Sequence, residues 1–291
     1  LFIKDEPHKK EKLAQGRERL IWCLSLEDQM VDRWLFIDWV DSEVQNYHLT
    51  TSKTGWTPIP GGMQYFNRCF TGDVLATDCS SFDWTYPEWV VEELLQIKRM
   101  QLRSEPKGYW KAVDARVNEV MGPQFVVRMP DGTRYRQKFV GLMKSGWLRT
   151  LSDNSSAQFI LNAVAWRYNW PQDPIPELWA MGDDMLMSWP RPRDDVSLFL
   201  DALDTLGVVL KCHSHNTEFA GFHLLENGVV NPAYPNKHMF VLEYSVDLQE
   251  MIDSLALIYA VSDLPLAQWI QVRQTQHPAL LAAWARGLVS L

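Results

Sequence analysis

The chain has 291 residues, of which 46% are apolar and 22% are charged, and its formal net charge is −8. These proportions are typical of globular proteins and exclude a disordered chain, and no apolar run approaches the ~20 residues that a membrane span needs. Four cysteines without a Cys-x-x-Cys pair favour a reducing compartment and argue against a disulfide framework or a zinc ribbon.

Hydrophobic periodicity and turn signals predict both helices and strands before residue 140. The helical segments are 25–45, which opens with the capping box Ser25-Leu-Glu-Asp28, then 88–103 after Pro87, and 108–120. The extended segments are 74–78, an apolar strand ending in Asp78, and 124–139, a hairpin around Asp131-Gly132. Residues 51–62, rich in Pro and Gly, are predicted to be a loop.

The second half repeats this mixture of elements. The predicted helices are 152–168, 194–206 with Gly207 as its stop, and the stretch from 246 onward with breaks at Pro265 and near Pro278. The predicted hairpins turn at Gly182-Asp183-Asp184 and at Glu226-Asn227-Gly228. Strands mixed with helices and several hairpins indicate an α+β fold around an antiparallel sheet.

Two acidic sites carry the first chemical signal. Asp183 and Asp184 lie at a tight turn between apolar strands, and Asp78 ends a predicted strand with Asp83 five residues later. Two-metal phosphoryl transfer needs carboxylates on neighbouring strand ends, and Asp78 with Asp183 would serve if their strands are adjacent. The alternatives are a solvent-exposed turn at Asp183-Asp184 and a capping or turn role for Asp78 and Asp83.

A third candidate site begins at Lys144-Ser145-Gly146. Thr150 follows Ser145 by five residues and Asn154 follows it by nine. A Ser-Gly loop that runs into a helix can place small hydroxyl and amide groups against a ligand. The alternative is an ordinary Ser-, Asp- and Asn-rich helix start.

Taken together, these segments resemble the ordered motifs of viral RNA-dependent RNA polymerases. The matches are motif F at 3–21 (IKDEPHKKEKLAQGRERLI), motif A at 78–84 (DCSSFDW), motif B at 145–156 (SGWLRTLSDNSS), motif C at 181–184 (MGDD), motif D at Lys211 and motif E at 218–224 (EFAGFHL). The residues within these motifs are similar to those of the sobemovirus, polerovirus and barnavirus lineage of positive-strand RNA viruses.

The resemblance implies a role for each matching residue. Asp78 and Asp183 would be the principal ligands of Mg²⁺ or Mn²⁺, and Asp184 would assist. Asp83 and Asn154 would bracket the ribose 2′-OH, with Ser145 and Thr150 in support. The triphosphate would be neutralised by Lys12, Arg17 and Arg19, where the alternative is a solvated basic face. Lys211 would donate a proton to leaving pyrophosphate, and its alternative is a surface lysine.

The resemblance also implies an architecture and partners. The expected domains are fingers with motif F (1–72), palm motif A (73–86), a fingers insertion (87–140), palm motifs B to E (141–235) and a helical thumb (236–291). We expect a core segment of a longer polyprotein product, without the upstream fingertips. The expected partners are template and nascent RNA, ribonucleoside triphosphates, and a protein primer or other viral replication proteins. The expected location is the host cytoplasm, in virus replication complexes.

Two other functions remain open at this stage. One is a reverse-transcriptase-like palm polymerase, although the family resemblance places a carboxylate, Asp83, where reverse transcriptases carry a bulky residue. The other is a truncated polymerase core that binds RNA without activity. Cys212, His213 and His215 also suggest a metal site, but no second ligand pair has suitable spacing.

Overall fold

A computed structural model describes residues 1–4, 10–16 and 19–290. The chain divides into two compact units, each described here by itself. Unit 1 comprises Leu1–Gly55, Thr77–Met185 and Arg191–Cys212, and unit 2 comprises Trp56–Ala76, Leu186–Pro190 and His213–Leu291.

The described helices are numbered in chain order. They are α1 Lys10–Ala14, α2 Leu26–Gln45, α3 Gly62–Cys69, α4 Glu88–Gln101, α5 Tyr109–Met121, α6 Thr150–Asn169, α7 Val196–Thr205, α8 Pro235–Glu243, α9 Leu248–Ile258, α10 Pro265–Arg273 and α11 Pro278–Ala285. Short 3-10 turns add Tyr47–Leu49, Phe82–Trp84 and Arg193–Asp195. No helix in the described part of the chain is long and apolar enough to cross a membrane.

The strands form four separate sheets. They are β1 Phe2–Ile3, β2 Leu20–Ile21, β3 Val74–Cys79, β4 Val126–Arg128, β5 Arg134–Arg136, β6 Leu178–Met181, β7 Asp184–Ser188, β8 Leu210–Ser214, β9 Glu218–Phe219, β10 Phe222–Leu224 and β11 Val230–Pro232. The sheet orders are β1-β2, β4-β5, β6-β7-β3-β8 and β11-β10-β9.

The four-stranded sheet brings distant chain segments side by side. The backbone N–H of Trp189, just after β7, donates to the carbonyl of Asp73, just before β3, at 2.8 Å. The N–H of Ser80, just after β3, donates to the carbonyl of Val209, just before β8, at 2.7 Å. Both neighbours therefore run antiparallel to β3. The end of β3 lies beside the start of β7 and the start of β8.

In unit 1 the long helix α6 packs against β6, α4 and α7. Apolar side chains such as Leu161 and Trp166 bury one part of its surface. Another part is buried although it is polar, because Ser155, Gln158 and Asn162 are each at most 1% exposed. A polar helix face is buried only where its groups find hydrogen-bond partners, and these partners lie in the candidate site.

Unit 2 contains the three-stranded sheet and the C-terminal helices. Phe222 pairs with Phe219 on one side of β10 and with Pro232 on the other, and both pairings are antiparallel. Helix α9 packs against α8, α10 and α11. Helices α8, α10 and α11 each begin with Pro in the first turn, where the missing N–H and fixed φ are no disadvantage.

The predicted α+β class with antiparallel sheets is confirmed. The capping box also is confirmed: Ser25 accepts a hydrogen bond from the Asp28 N–H at 3.1 Å at the start of α2. Helices α3 and α8 and the short β1–β2 sheet were not predicted. The apolar residues of α8 form one run at 239–242, which shows no helical periodicity, and of these only Leu242 is buried.

Candidate active site

Asp83 is the meeting point of three chain segments in unit 1. It lies in the 3-10 turn after β3. The hydroxyl of Ser145 donates to Asp83 Oδ2, and the amide of Asn154, near the start of α6, donates to Asp83 Oδ1 at 2.8 Å. The structure therefore brings together three of the predicted ribose-contacting residues.

The side-chain oxygen of Asn154 in this cluster is buried without a hydrogen-bond donor among the described residues. Asn154 is 5% exposed, and its Oδ1 accepts no hydrogen bond from any residue that the structure describes. A buried polar atom without a partner costs about 1–3 kcal/mol. A hydroxyl supplied by a ligand beside Asp83 would satisfy it.

The loop before α6 is held closely by its neighbours. The N–H of Trp22 donates to the carbonyl of Ser145 at 2.8 Å. Gly146 has φ +113°, and a Cβ there would lie 2.5 Å from the Trp22 carbonyl oxygen, so only glycine fits. The Thr150 hydroxyl lies 2.8 Å from the carbonyl of Lys144 and 2.9 Å from that of Trp147. Thr150 thus braces the loop that carries Ser145.

The turn between β6 and β7 is held by α6. The hydroxyl of Ser155 accepts the N–H of Gly182 at 2.9 Å. The amide of Gln158 donates to the carbonyl of Asp183 at 2.8 Å and lies 3.3 Å from the sulfur of Cys79. Asn162 in turn donates to the carbonyl of Gln158 at 2.7 Å. Helix α6 therefore fixes the Gly182-Asp183 turn relative to the end of β3.

Several carboxylates share one electrostatic environment at the ends of these strands. Partial burial raises the pKa of the Asp183 carboxyl, the charges of Asp78 and Asp83 raise it further, and Arg19 opposes this change. Burial likewise raises the pKa of the Cys79 thiol to about 11, and the charges of Asp183, Asp78 and Asp184 add to that rise. Asp78, Asp183 and Asp184 thus lie around Cys79.

Lys211 lies against this acidic group. Its ammonium forms an ion pair with Asp78 Oδ2, from β8 to the neighbouring β3. The Lys211 side chain is 58% exposed and that of Asp78 is 32% exposed. The predicted proton donor and a predicted metal ligand therefore touch.

The basic N-terminal segment is only partly described. Arg17 and the side chain of Lys12 lie outside the described residues. Arg19 precedes β2, and its carbonyl accepts the N–H of Lys4 at 2.8 Å. Its effect on the pKa of Asp183 places Arg19 near the acidic group, whereas the other two predicted phosphate-binding residues stay a prediction.

The acidic group has the donor chemistry of a metal site but, among the described residues, not a complete set of ligands. Within residues 1–4, 10–16 and 19–290, no three His, Cys, Asp or Glu side chains are placed to hold a metal ion together. The donor chemistry nevertheless fits a hard divalent cation, because Asp78, Asp183 and Asp184 offer carboxylate oxygens. A cation would also offset the repulsion that raises the pKa of Asp183. The ligand set stays a prediction.

Comparison with known proteins decides the family. The family described as viral RNA-dependent RNA polymerase matches residues 1–226, which is more than half of the chain. The chain belongs to this viral polymerase family. The predicted resemblance to viral RNA-dependent RNA polymerases is confirmed. Polymerases of this family use divalent metals in general.

Three viral proteins illustrate the relationship. Protein P1-P2 of potato leafroll virus is 30% identical over 260 residues, which cover 83% of this chain and 23% of that protein. Replicase polyprotein P2AB of cocksfoot mottle virus is 32% identical over 203 residues, covering 65% and 20%. The RNA-directed RNA polymerase of mushroom bacilliform virus is 31% identical over 197 residues, covering 65% and 46%. The polymerase chain therefore spans less than half the length of these relatives.

Sequence reasoning missed the residues of α6 that support the candidate site through backbone atoms of the β6–β7 turn. Ser155 and Gln158 contact the Asp183 turn but were not proposed. One signal was present: Asn154, Gln158 and Asn162 recur every four residues and so share a helix face. Such a polar stripe is common on exposed helices, and only burial shows that this one faces inward.

The buried Lys144 should make the free energy of unfolding depend on pH. Its ammonium is fully buried, donates to Gln137 Oε1 at 2.5 Å, and lies 4.6 Å from the centre of the Phe125 ring. Burial lowers the pKa of Lys144 to about 7. The unfolded chain keeps this proton up to an ordinary lysine pKa, so between pH 7 and 10 unfolding takes up a proton. The free energy of unfolding therefore rises with pH in this window.

We expect the wild type to gain about 1–2 kcal/mol of unfolding free energy between pH 6.5 and 8.5 relative to Lys144→Met. Urea denaturation at the two pH values measures the difference. Lys111→Met, at an exposed site of α5, is the control and should follow the wild type. Equal pH dependence in wild type and Lys144→Met would contradict the assignment.

Proposed function

We propose that this chain carries the catalytic site for RNA-templated RNA synthesis from ribonucleoside triphosphates. The observation that supports this most is the arrangement at the end of β3. Asp83 holds Ser145 and Asn154, and the charges of Asp78 and Asp83 act on Asp183 of the neighbouring turn. One hydroxyl-binding cluster thus adjoins one acidic group, as a ribonucleotide-transfer site requires.

Recognition of ribose is assigned to Asp83 and Asn154. A ribose 2′-OH could donate to the unpaired Asn154 Oδ1 or to Asp83. A deoxyribose would leave that buried oxygen without a partner, which is the kind of loss that discriminates strongly between substrates. Ser145 holds Asp83 in place, and Thr150 holds the loop that carries Ser145.

Transfer is assigned to the acidic group. Asp78, Asp183 and Asp184 would hold Mg²⁺ or Mn²⁺, which when bound lowers the pKa of a primer 3′-OH and neutralises charge on the phosphates. The primer 3′-OH loses its proton to solvent and its oxygen forms a bond to the α-phosphorus, while the bond from that phosphorus to the α–β bridging oxygen breaks. Arg19, with Arg17 and Lys12, orients the triphosphate. Lys211 gives its proton to the leaving pyrophosphate.

The domain roles and setting are part of the same proposal. The four-stranded sheet with α6 would be the palm, the segment between β3 and the Ser145 loop the fingers insertion, and the C-terminal helices the thumb. Template and nascent RNA and the nucleotides are the substrates. Other viral replication proteins and a protein primer are candidate partners, in replication complexes in the host cytoplasm.

The test is single-nucleotide addition to a primed RNA. Four templates differ only in the base after the primer end, and each is offered ribonucleotides or deoxyribonucleotides with Mg²⁺ or Mn²⁺. We expect addition of the complementary ribonucleotide on each template. Equal use of deoxyribonucleotides would favour the reverse-transcriptase alternative. RNA binding without addition would favour the inactive RNA-binding core.

Gln158 is expected to position the acidic turn. Its amide joins the Asp183 carbonyl to Cys79 from within α6, so Gln158→Leu should let the turn shift. We expect elongation to fall about 10–100-fold, as for groups that orient metal ligands. The Mn²⁺ concentration that gives half the maximal rate should rise, which a general loss of stability would not cause.

The matched control is Gln96→Leu, the same substitution on the exposed side of α4. It should leave both the rate and the Mn²⁺ dependence unchanged. A Gln158→Leu protein with an unchanged Mn²⁺ midpoint would show that Gln158 serves stability alone.

A further inference from the structure

The hairpin β4–β5 concentrates positive charge on an acidic chain. Residues 124–139 contain four cations, Arg128, Arg134, Arg136 and Lys138, against a single carboxylate, Asp131, whereas the whole chain has a net charge of −8. All four cations are exposed. The Asp131 carboxylate is committed to the turn, where it accepts the Thr133 N–H at 2.8 Å. In the part of the chain that the structure describes, Asp131 forms no ion pair with an arginine.

The strand register places these charges on one face of the ribbon. Arg128 lies directly opposite Arg134, and Val126 lies opposite Arg136. Paired residues share a face, and so do residues two apart on one strand. Arg128, Arg134 and Arg136 therefore face the same side, and Val127 and Tyr135 face the other. In the described part of the chain, no carboxylate forms an ion pair with any of the three.

Such a face is unfavourable in the protein alone. Like charges directly opposite each other destabilise a strand pair, and a two-stranded ribbon has little packing to offset this. A polyanion bound along the ribbon would neutralise the arginines and remove the repulsion between them. Guanidinium groups suit phosphate in particular, because their forked donors match its oxygens.

The base of the hairpin is joined to the loop of the proposed site. Phe125 packs edge-on against Trp22 with ring centres 5.6 Å apart, and Trp22 binds the carbonyl of Ser145. Oε1 of Gln137 accepts a hydrogen bond from the ammonium of Lys144, the residue before Ser145. From this base six residues lead to the tip, about 20 Å of extended chain. An RNA strand that reaches the Ser145 loop could thus continue along the ribbon.

We propose that the Arg128–Arg134–Arg136 face of the β4–β5 hairpin binds the sugar-phosphate backbone of RNA as it extends from the nucleotide site. The proposal rests on the proposed function for the identity of the polyanion. Binding through phosphates is independent of base sequence and falls as salt rises.

The test is fluorescence anisotropy with labelled RNA of two unrelated sequences, from 50 to 300 mM salt. We expect Arg134→Gln/Arg136→Gln to raise Kd roughly tenfold at low salt for both sequences. The slope of log K against log salt should become shallower by about 1.4, since each lost phosphate contact contributes about 0.7 on single strands. Arg103→Gln/Lys111→Gln, at exposed sites outside the hairpin, makes the same charge change and should leave the slope at its wild-type value.

The outcomes separate the hairpin inference from the proposed function. If the hairpin variant binds RNA with the wild-type Kd and slope while the wild type elongates, the hairpin inference is overturned and the proposed function stands. If the hairpin and control variants weaken binding equally, the effect is one of total charge and the hairpin inference is likewise overturned. If the wild type does not bind RNA at all, both fail.

Discussion

Replacing Asp183 with Asn is expected to reduce RNA elongation by on the order of 10³-fold or more. The substitution keeps the shape of the side chain and removes its charge. The turn keeps its support from α6, because Gln158 and Ser155 bind backbone atoms of the turn and not the carboxylate. If Asp183 holds the cation as proposed, losing its charge removes several kcal/mol of transition-state stabilisation, and each 1.36 kcal/mol is a factor of ten in rate.

The control for this prediction is Asp201→Asn, the same change at an exposed position of α7. It should elongate at the wild-type rate. Asp201→Asn should unfold at the wild-type urea concentration. Asp183→Asn should unfold at the same or a higher concentration, because the burial and repulsion that raise the pKa of Asp183 disfavour its charged form. Comparable elongation by Asp183→Asn and wild type would mean that the transfer site lies elsewhere.

Arg149→Leu is expected to cause the largest loss of stability. Arg149 and Asp153 are each 1% exposed, and the guanidinium lies 2.9 Å from Asp153 Oδ1. The Phe36, Trp39 and Trp147 rings surround the guanidinium at 4.7–5.3 Å. Removing one partner of a buried pair leaves the other charge uncompensated. We expect unfolding free energy to fall by about 3–5 kcal/mol in urea denaturation.

Two comparisons separate this effect from simple loss of an arginine. Arg149→Met combined with Asp153→Leu removes both charges and should recover most of the stability. Arg99→Leu breaks the pair with Asp114, in which both side chains are about a third or more exposed, and should cost less than about 1 kcal/mol. A loss below about 1 kcal/mol for Arg149→Leu would contradict the buried-pair account.

Asp183→Asn and Arg149→Leu both concern helix α6, which supports the Asp183 turn and is itself anchored in the core by Arg149. Arg149 and Asp153 hold the first turn of α6 in the core, and Asn154 leaves that turn toward Asp83. One turn further on, Gln158 donates to the carbonyl of Asp183, and Asn162, a turn beyond it, donates to the carbonyl of Gln158. Helix α6 thus sets the position of the ribose cluster relative to the acidic group.

The sequence was sufficient where local signals are strong. Strand β3 is a short apolar run, and the hairpins turn at Asp131-Gly132 and Asn227-Gly228, so each has a local cause. The Pro-initiated helices α10 and α11 were predicted for the same reason. Helix α3 was not, because it begins at Gly62 directly after a Pro- and Gly-rich stretch that indicates a loop.

The sequence supplied candidate site residues, whose roles stay a prediction, but not the contacts between them. The order of the motifs pointed to Asp78, Asp83 and Asp183. The ion pair between Lys211 and Asp78, which lie 133 residues apart in the chain, depends on the register of β8 against β3. Sequence patterns do not contain such a register. Gln158 was missed because its partner is a backbone carbonyl, which carries no signature in the sequence.

The most direct test is electron paramagnetic resonance of Mn²⁺ bound to the protein with primed RNA and a non-hydrolysable ribonucleotide analogue. We predict protein-bound Mn²⁺ in the wild type and in Asp201→Asn, and at least a tenfold weaker affinity in Asp183→Asn. That result would place the cation at the acidic group that α6 positions. Equal Mn²⁺ affinity in wild type and Asp183→Asn would contradict it.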